Sequence, residues 1–154
     1  MKVARTPAEL GGGPRAVALG TFDGVHLGHR RVIETALSAG PEPTVVTFDP
    51  HPRTALGNRV ELLTSLERRL ELLQELGVEA TLVVEFTLDL ARLEPEEFAE
   101  EVLRPIGAEV VVAGEDFRFG RGRSGDMELL SRLGFETLPV PILDGVSSSR
   151  MMRS

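Results

Sequence analysis

The stretch AVALGTFDGVHLGHRRVIETAL, residues 16–37, decides how the chain is read. Apolar Val17 and Leu19 run into Gly20, which predicts a buried strand over residues 16–20. Asp23 and Gly24 mark a tight turn, after which Leu27, Val32, Ile33, Ala36 and Leu37 recur at helical spacing. His26 and His29 lie three residues apart, so one helical turn sets both imidazoles on the same side of the helix start. Unpaired backbone N–H groups and the positive end of the helix dipole gather there and favour a phosphate. Strand, turn and histidine-bearing helix together predict phosphate chemistry.

The neighbouring segments repeat the alternation. TVVTF (44–48), ATLVVEF (80–86), AEVVVA (108–113) and residues 136–140 predict further strands. Ser65 opens SLERRLELLQELG, a helix with Leu66, Leu70, Leu73 and Leu76 on its apolar side, Arg68 and Arg69 in solvent, and a stop at Gly77. Pro95 starts a helix with an acidic first turn, and residues 126–133 predict another. Residues 1–15 and the proline-stiffened DPHPR (49–53) read as loops. The pattern predicts an α/β fold in one domain over residues 1–154: a Rossmann-like open parallel five-stranded sheet with helices on both faces. Ligands of such sheets bind beyond the carboxyl ends of the strands, where GTFDGVHLGH, DPHPR, GEDFRFGRGR and VSSSR all fall.

Composition excludes several classes of function. The 154 residues are 42% hydrophobic and 27% charged, as in an ordinary globular domain. A net charge of −7 argues against a sequence-independent grip on nucleic acid, and the absence of Trp and Tyr argues against base stacking. Without cysteine there are no disulfides, thiolate metal sites or cysteine nucleophiles. No apolar run reaches the ~18 residues of a membrane span, and the N-terminus lacks a signal peptide's apolar middle, so a cytoplasmic protein with no membrane partner is expected. GTFDGVHLGH has neither G-x-G-x-x-G nor a lysine followed by Ser or Thr, which rules out the dinucleotide and P-loop readings. Two histidines without cysteine or a close set of carboxylates are weak grounds for zinc.

GTFDGVHLGHRRVI (20–33) resembles the HxGH signature of the nucleotidyltransferase superfamily in the form seen in bacterial FAD synthetases. TFDPHPRTAL (47–56), GEDFRFGRGRSGD (114–126) and VSSSR (146–150) match that family in the same order. The chain thus resembles the FMN adenylyltransferase module of bifunctional riboflavin kinase/FAD synthetase. The resemblance implies adenylyl transfer from ATP to FMN with Mg2+, giving FAD and pyrophosphate. It implies that His26 and His29 donate to the ATP phosphates, that Gly20, Gly24 and Gly28 let the nucleotide approach the main chain, and that Asp116 lies near the phosphates and metal. His51 and Arg53 fall on the flavin-phosphate side, with a plain stiff turn as the competing account.

Other positions admit two readings. Phe22 is counted with the cofactor-binding positions but has more the character of a packing residue, and Asp23 either binds or forms the turn. Beyond Gly114, Phe117 and Phe119 either line a flavin or adenine pocket or are core rings of an edge strand. Arg121 and Arg123 sit on a glycine hinge that suits a cover over phosphates and equally suits disorder. Ser147, Ser148 and Ser149 have hydroxyls for phosphate oxygens at a helix start, followed by Arg150. The family pattern has two residues after the serines and then Arg; that place falls on Met152, so Arg150 or Arg153 must stand in for it if activity is not to be weak. Nothing beyond Ser154 provides for the family's riboflavin kinase domain, which is expected to be absent. Two alternatives stay open: an adenylyl- or cytidylyltransferase for another small phosphorylated acceptor, and a flavin- or nucleotide-binding module without turnover.

Overall fold

A computed structural model of the chain describes residues 1–22, 27–49 and 65–141. The strands are β1 (Lys2–Ala4), β2 (Arg15–Leu19), β3 (Pro43–Asp49), β4 (Ala80–Glu85), β5 (Ala108–Gly114) and β6 (Glu136–Val140); in β2 to β5, runs of β-branched and small apolar residues are buried on both faces. The helices are α1 (Pro7–Leu10), α2 (Leu27–Ala39), α3 (Leu66–Glu75), α4 (Leu88–Ala91), α5 (Pro95–Phe98), which runs on as a π-helical turn over Ala99–Leu103, and α6 (Met127–Arg132). Several starts are capped as their residue types dictate: Ser65 accepts from Arg68 N and Asp126 from Leu129 N.

All strands pair in parallel, in the order β1-β4-β3-β2-β5-β6. Six strands replace the five expected. The extra one lies in residues 1–15, predicted as loop: Lys2, Val3 and Ala4 pair with Ala80, Thr81 and Leu82 of β4. Three residues of which only Ala4 is buried carry no readable period, so pairing alone makes this a strand. At the other edge, Pro139 lacks an N–H and suits the outermost strand β6.

Alternation along each strand builds two cores. Val17, Leu19, Val46, Leu82 and Val111 face α1, α5, its π-helical extension and α6. Ala16, Ala18, Val45, Val110 and Val112 face α2 and α3, with Ile33 and Leu73 among the fully buried side chains there. Helices therefore cover both faces, as the alternation predicted. One expectation on α3 fails. Arg68 lies at the surface beside Glu71 and Glu75, but Arg69 is only 1% exposed, on the same inward stripe as Leu73.

At the amino end of the sheet a second buried cation ties segments together. Arg15 donates through Nε to Ile106 O at 2.9 Å, through Nη1 to Thr44 Oγ1 and Glu42 Oε2 at 3.1 Å each, and through Nη2 to Leu10 O at 3.1 Å. The chain crosses itself tightly here. A Cβ on Gly107, which has φ +78°, would run into the backbone of Gly13. Arg15→Leu would leave the Ile106 and Leu10 carbonyls without this donor. It is expected to lower unfolding free energy by about 3 kcal/mol, read as a lower urea midpoint at unchanged m-value.

Candidate active site

The chain leaves β2 for β3 on one side and later returns to pair β5 on the other side. Neighbouring connections thus diverge between β2 and β5, and the crevice beyond their carboxyl ends is the topological switch point of the sheet. Gly20 and Gly114 each follow the Ala18–Val112 pair by two residues, so the two loops leave from adjacent strands about 4.8 Å apart.

The turn after β2 is held by packing and by hydrogen bonds. Gly20 N donates to Val46 O at 3.1 Å. Phe22 has φ +55°, a left-handed conformation that costs a bulky residue about 1–3 kcal/mol and persists where surroundings enforce it. Its ring is only 1% exposed and packs edge-on against His29, with centroids 5.3 Å apart at 81°. A Cβ on Gly20 would lie 3.1 Å from the Phe22 ring, so the close approach that Gly20 permits here is that of this ring. His29 is half-buried in the first turn of α2, which also carries Gly28. Phe22 packs here, and a ring so fully buried leaves no surface for the cofactor-binding place also given to it.

Beneath the turn lies a polar link that sequence reading missed. Thr47 of β3 donates from Oγ1 to Thr21 O at 2.8 Å and accepts from Arg69 Nη1 at 3.2 Å. The same Nη1 donates to Phe48 O at 2.9 Å. Two signals pointed here: a threonine near the end of an otherwise apolar buried strand, and an arginine four residues before Leu73 on the inward stripe.

Beyond β5, Glu115 N donates to Val140 O and Phe117 N to Gly114 O, both at 2.9 Å, forming a turn with Asp116 exposed at its tip. Phe119 is a core ring that exchanges backbone hydrogen bonds with Gly125 at 2.8 and 3.1 Å. Phe117 is half-buried and stacked on Phe119 at 6.0 Å. The rings of Phe86, Phe48, Phe98, Phe119 and Phe117 form one string, each within 6.2 Å of the next. The Arg121–Arg123 stretch is a 3-10 turn docked on the approach to α5, where Arg121 N donates to Leu93 O at 2.8 Å and its guanidinium lies 3.5 Å from Glu94. Both arginines are exposed.

The structure thus brings Gly20, Phe22, Gly28, His29, Gly114, Asp116 and Phe117 to the carboxyl edge of β2 and β5. Asp23, Gly24, His26, His51, Arg53, Ser147, Ser148, Ser149, Arg150 and Met152 lie outside the described residues. Among the described residues, no group of three or more His, Asp or Glu side chains is placed to hold a metal ion. None of their helices is long and apolar enough to cross a membrane.

Comparison with known proteins agrees with this layout. The family model for FAD synthetase matches residues 12–150. The chain belongs to the FAD synthetase family. Its relatives include the bifunctional riboflavin kinase/FMN adenylyltransferase of Listeria monocytogenes, 39% identical over 137 residues, which cover 84% of this chain and 44% of that protein. That of Bacillus subtilis is 39% identical, covering 74% and 38%, and the FAD synthetase of L. monocytogenes is 37% identical, covering 76% and 50%. The chain spans half or less of the length of these relatives. Among solved structures, one titled macrolide-efflux protein from Streptococcus pneumoniae superposes with a TM-score of 0.80 at 26% identity, covering 92% of this chain and 58% of the other. Pantothenate synthetase from Thermus thermophilus shares the fold at a TM-score of 0.56 and 22% identity, covering 100% and 68%.

The packing of this FAD synthetase family turn is open to a direct check. Gly20→Ala presses a methyl against the Phe22 ring, so the ring must yield. The variant is expected to lose about 1–2 kcal/mol of stability and to shift the His29 imidazole resonances in 1H–15N spectra.

Proposed function

We propose that the chain catalyses FMN adenylyltransferase chemistry: an FMN phosphate oxygen attacks the α-phosphorus of ATP, the bond to the bridging oxygen of the β-phosphate breaks, and FAD and pyrophosphate form. The observation that carries this reading is the family match over residues 12–150, which spans both loops at the β2/β5 switch point. Transfer of this kind needs little covalent chemistry from the protein and much positioning and charge stabilisation. His29, in the first turn of α2, supplies an imidazole N–H for phosphate oxygens as charge moves onto the leaving pyrophosphate. His26, His51, Arg53 and the serines at 147–149 keep the roles implied by resemblance. On the other side of the crevice, Phe117 offers a partly exposed ring to the flavin or adenine.

Magnesium arrives with ATP. It would be held largely by phosphates and water with one or two protein carboxylates, and exposed Asp116 beside the β5 exit would supply one of these. The ion would neutralise charge on the phosphates. A cysteine-free chain whose described helices include no membrane span suits a cytoplasmic enzyme acting on small molecules.

FMN, ATP and magnesium incubated with the chain are expected to yield FAD and pyrophosphate in equal amounts. Pantetheine phosphate or nicotinamide mononucleotide in place of FMN is expected to give no adenylylated product. Tight flavin binding without product would overturn the reading. His29→Ala is expected to lower kcat by about 10²-fold with the fold retained by circular dichroism, and an unchanged kcat would remove the role given to that imidazole.

A further inference from the structure

We propose that Arg69 is a positioning residue for the turn between β2 and α2, acting through the Thr47 hydroxyl on the Thr21 carbonyl and so on the Phe22–His29 pair. For its effect on rate this rests on the adenylyl-transfer reading; for its effect on the turn it does not.

The donors set the direction of this link. A guanidinium only donates, so Thr47 Oγ1 must accept from Arg69 Nη1 at 3.2 Å. A hydroxyl has one proton, and with the guanidinium on its lone pair that proton is directed to Thr21 O at 2.8 Å. The link therefore runs one way, from Arg69 through Thr47 to the turn. A charged donor also polarises the hydroxyl and strengthens its outgoing bond. Without the guanidinium the hydroxyl is free to rotate away from Thr21 O toward the backbone of its own strand.

Thr21 O belongs to the peptide that enters Phe22, the residue held at φ +55°. Fixing the plane of that peptide is a direct way to hold a left-handed residue that its own sterics disfavour. The Phe22 ring in turn meets His29 edge-on at 5.3 Å. Arg69 also donates to Phe48 O at 2.9 Å, one residue before DPHPR begins. One guanidinium from α3 thus ties the carboxyl end of β3 to the turn that follows β2. Packing does not require it. An apolar side chain would fill the inward stripe beside Leu73 without the desolvation cost of a charge that is 99% removed from solvent.

The test compares Thr47→Val, which keeps shape and removes the hydroxyl, with Thr47→Ser, which restores it, and with Arg69→Met. Two readouts are used: kcat for FAD formation and the 1H–15N imidazole spectrum. With three histidines in the chain, His29→Ala assigns the His29 peaks. Thr47→Val and Arg69→Met are each expected to shift those peaks and to lower kcat about tenfold, with Thr47→Ser near the parent in both. In a His29→Ala background the loss from Thr47→Val is expected to shrink to within about twofold, since both then act on the same group.

Folded Thr47→Val with the parent spectrum and kcat overturns the proposal, as does a loss that multiplies in full with His29→Ala. If Val or Met prevents folding, Arg69→Lys carries the same readouts, because it keeps the charge but lacks the planar fork; parent-like His29 peaks and rate there overturn the proposal. If the parent chain makes no FAD, the adenylyl-transfer reading fails alone and the spectra still decide the link.

Discussion

Parallel pairing of β2 on both of its sides constrains everything else in the fold. A strand with parallel neighbours on both edges is buried on both faces, so β2 is built from small and apolar residues over Ala16–Leu19, each at most 1% exposed. Every connection between parallel strands must cross over one face, and the helices follow from that requirement. Because the chain winds outward from β2 in both directions, the segments after β2 and β5 diverge over a single crevice.

The sheet is held at its two ends by different chemistry with a shared logic. At the amino end Arg15 satisfies the carbonyls of Ile106 and Leu10 and the hydroxyl of Thr44, knitting together the segments that enter and leave the sheet there. At the carboxyl end Arg69 satisfies Phe48 O and Thr47 Oγ1 next to the turn that presents His29. In each case a guanidinium collects acceptors that come from segments distant in sequence. Buried polar groups need partners, and an arginine with five donors in a fixed fork can serve several at once.

The two loops of the crevice are stiffened in unlike ways. The turn after β2 is strained at Phe22 and held by burial and by Thr47. The loop after β5 is closed by the Phe119–Gly125 bridge and docked beside α5, with Phe119 inside the aromatic string. Preorganisation on both sides suits a reaction whose catalysis is mainly positioning. It also explains why Phe117 and Phe119, identical letters two apart, divide their labour: one joins the core and the other keeps a face toward the edge.

Local pattern determined most of the fold. Continuous β-branched runs, helical leucine spacing and capping residues such as Ser65 and Asp126 are short-range properties, and five strands and the main helices stood where these placed them. The glycine and histidine motif at residues 20–29 was legible because its chemistry is contiguous. β1 was not, since three residues with one buried side chain gain strand character only from pairing with β4. Arg69 was not, because its partners Thr47 and Phe48 lie about twenty residues away and meet it only when α3 packs on the sheet. Nor was the reason for Gly20, whose missing Cβ makes room for the Phe22 ring. The sequence determined which groups the protein has and the elements that carry them; tertiary structure decided which of those groups are buried, because burial and hydrogen-bond partners depend on contacts that no local period encodes.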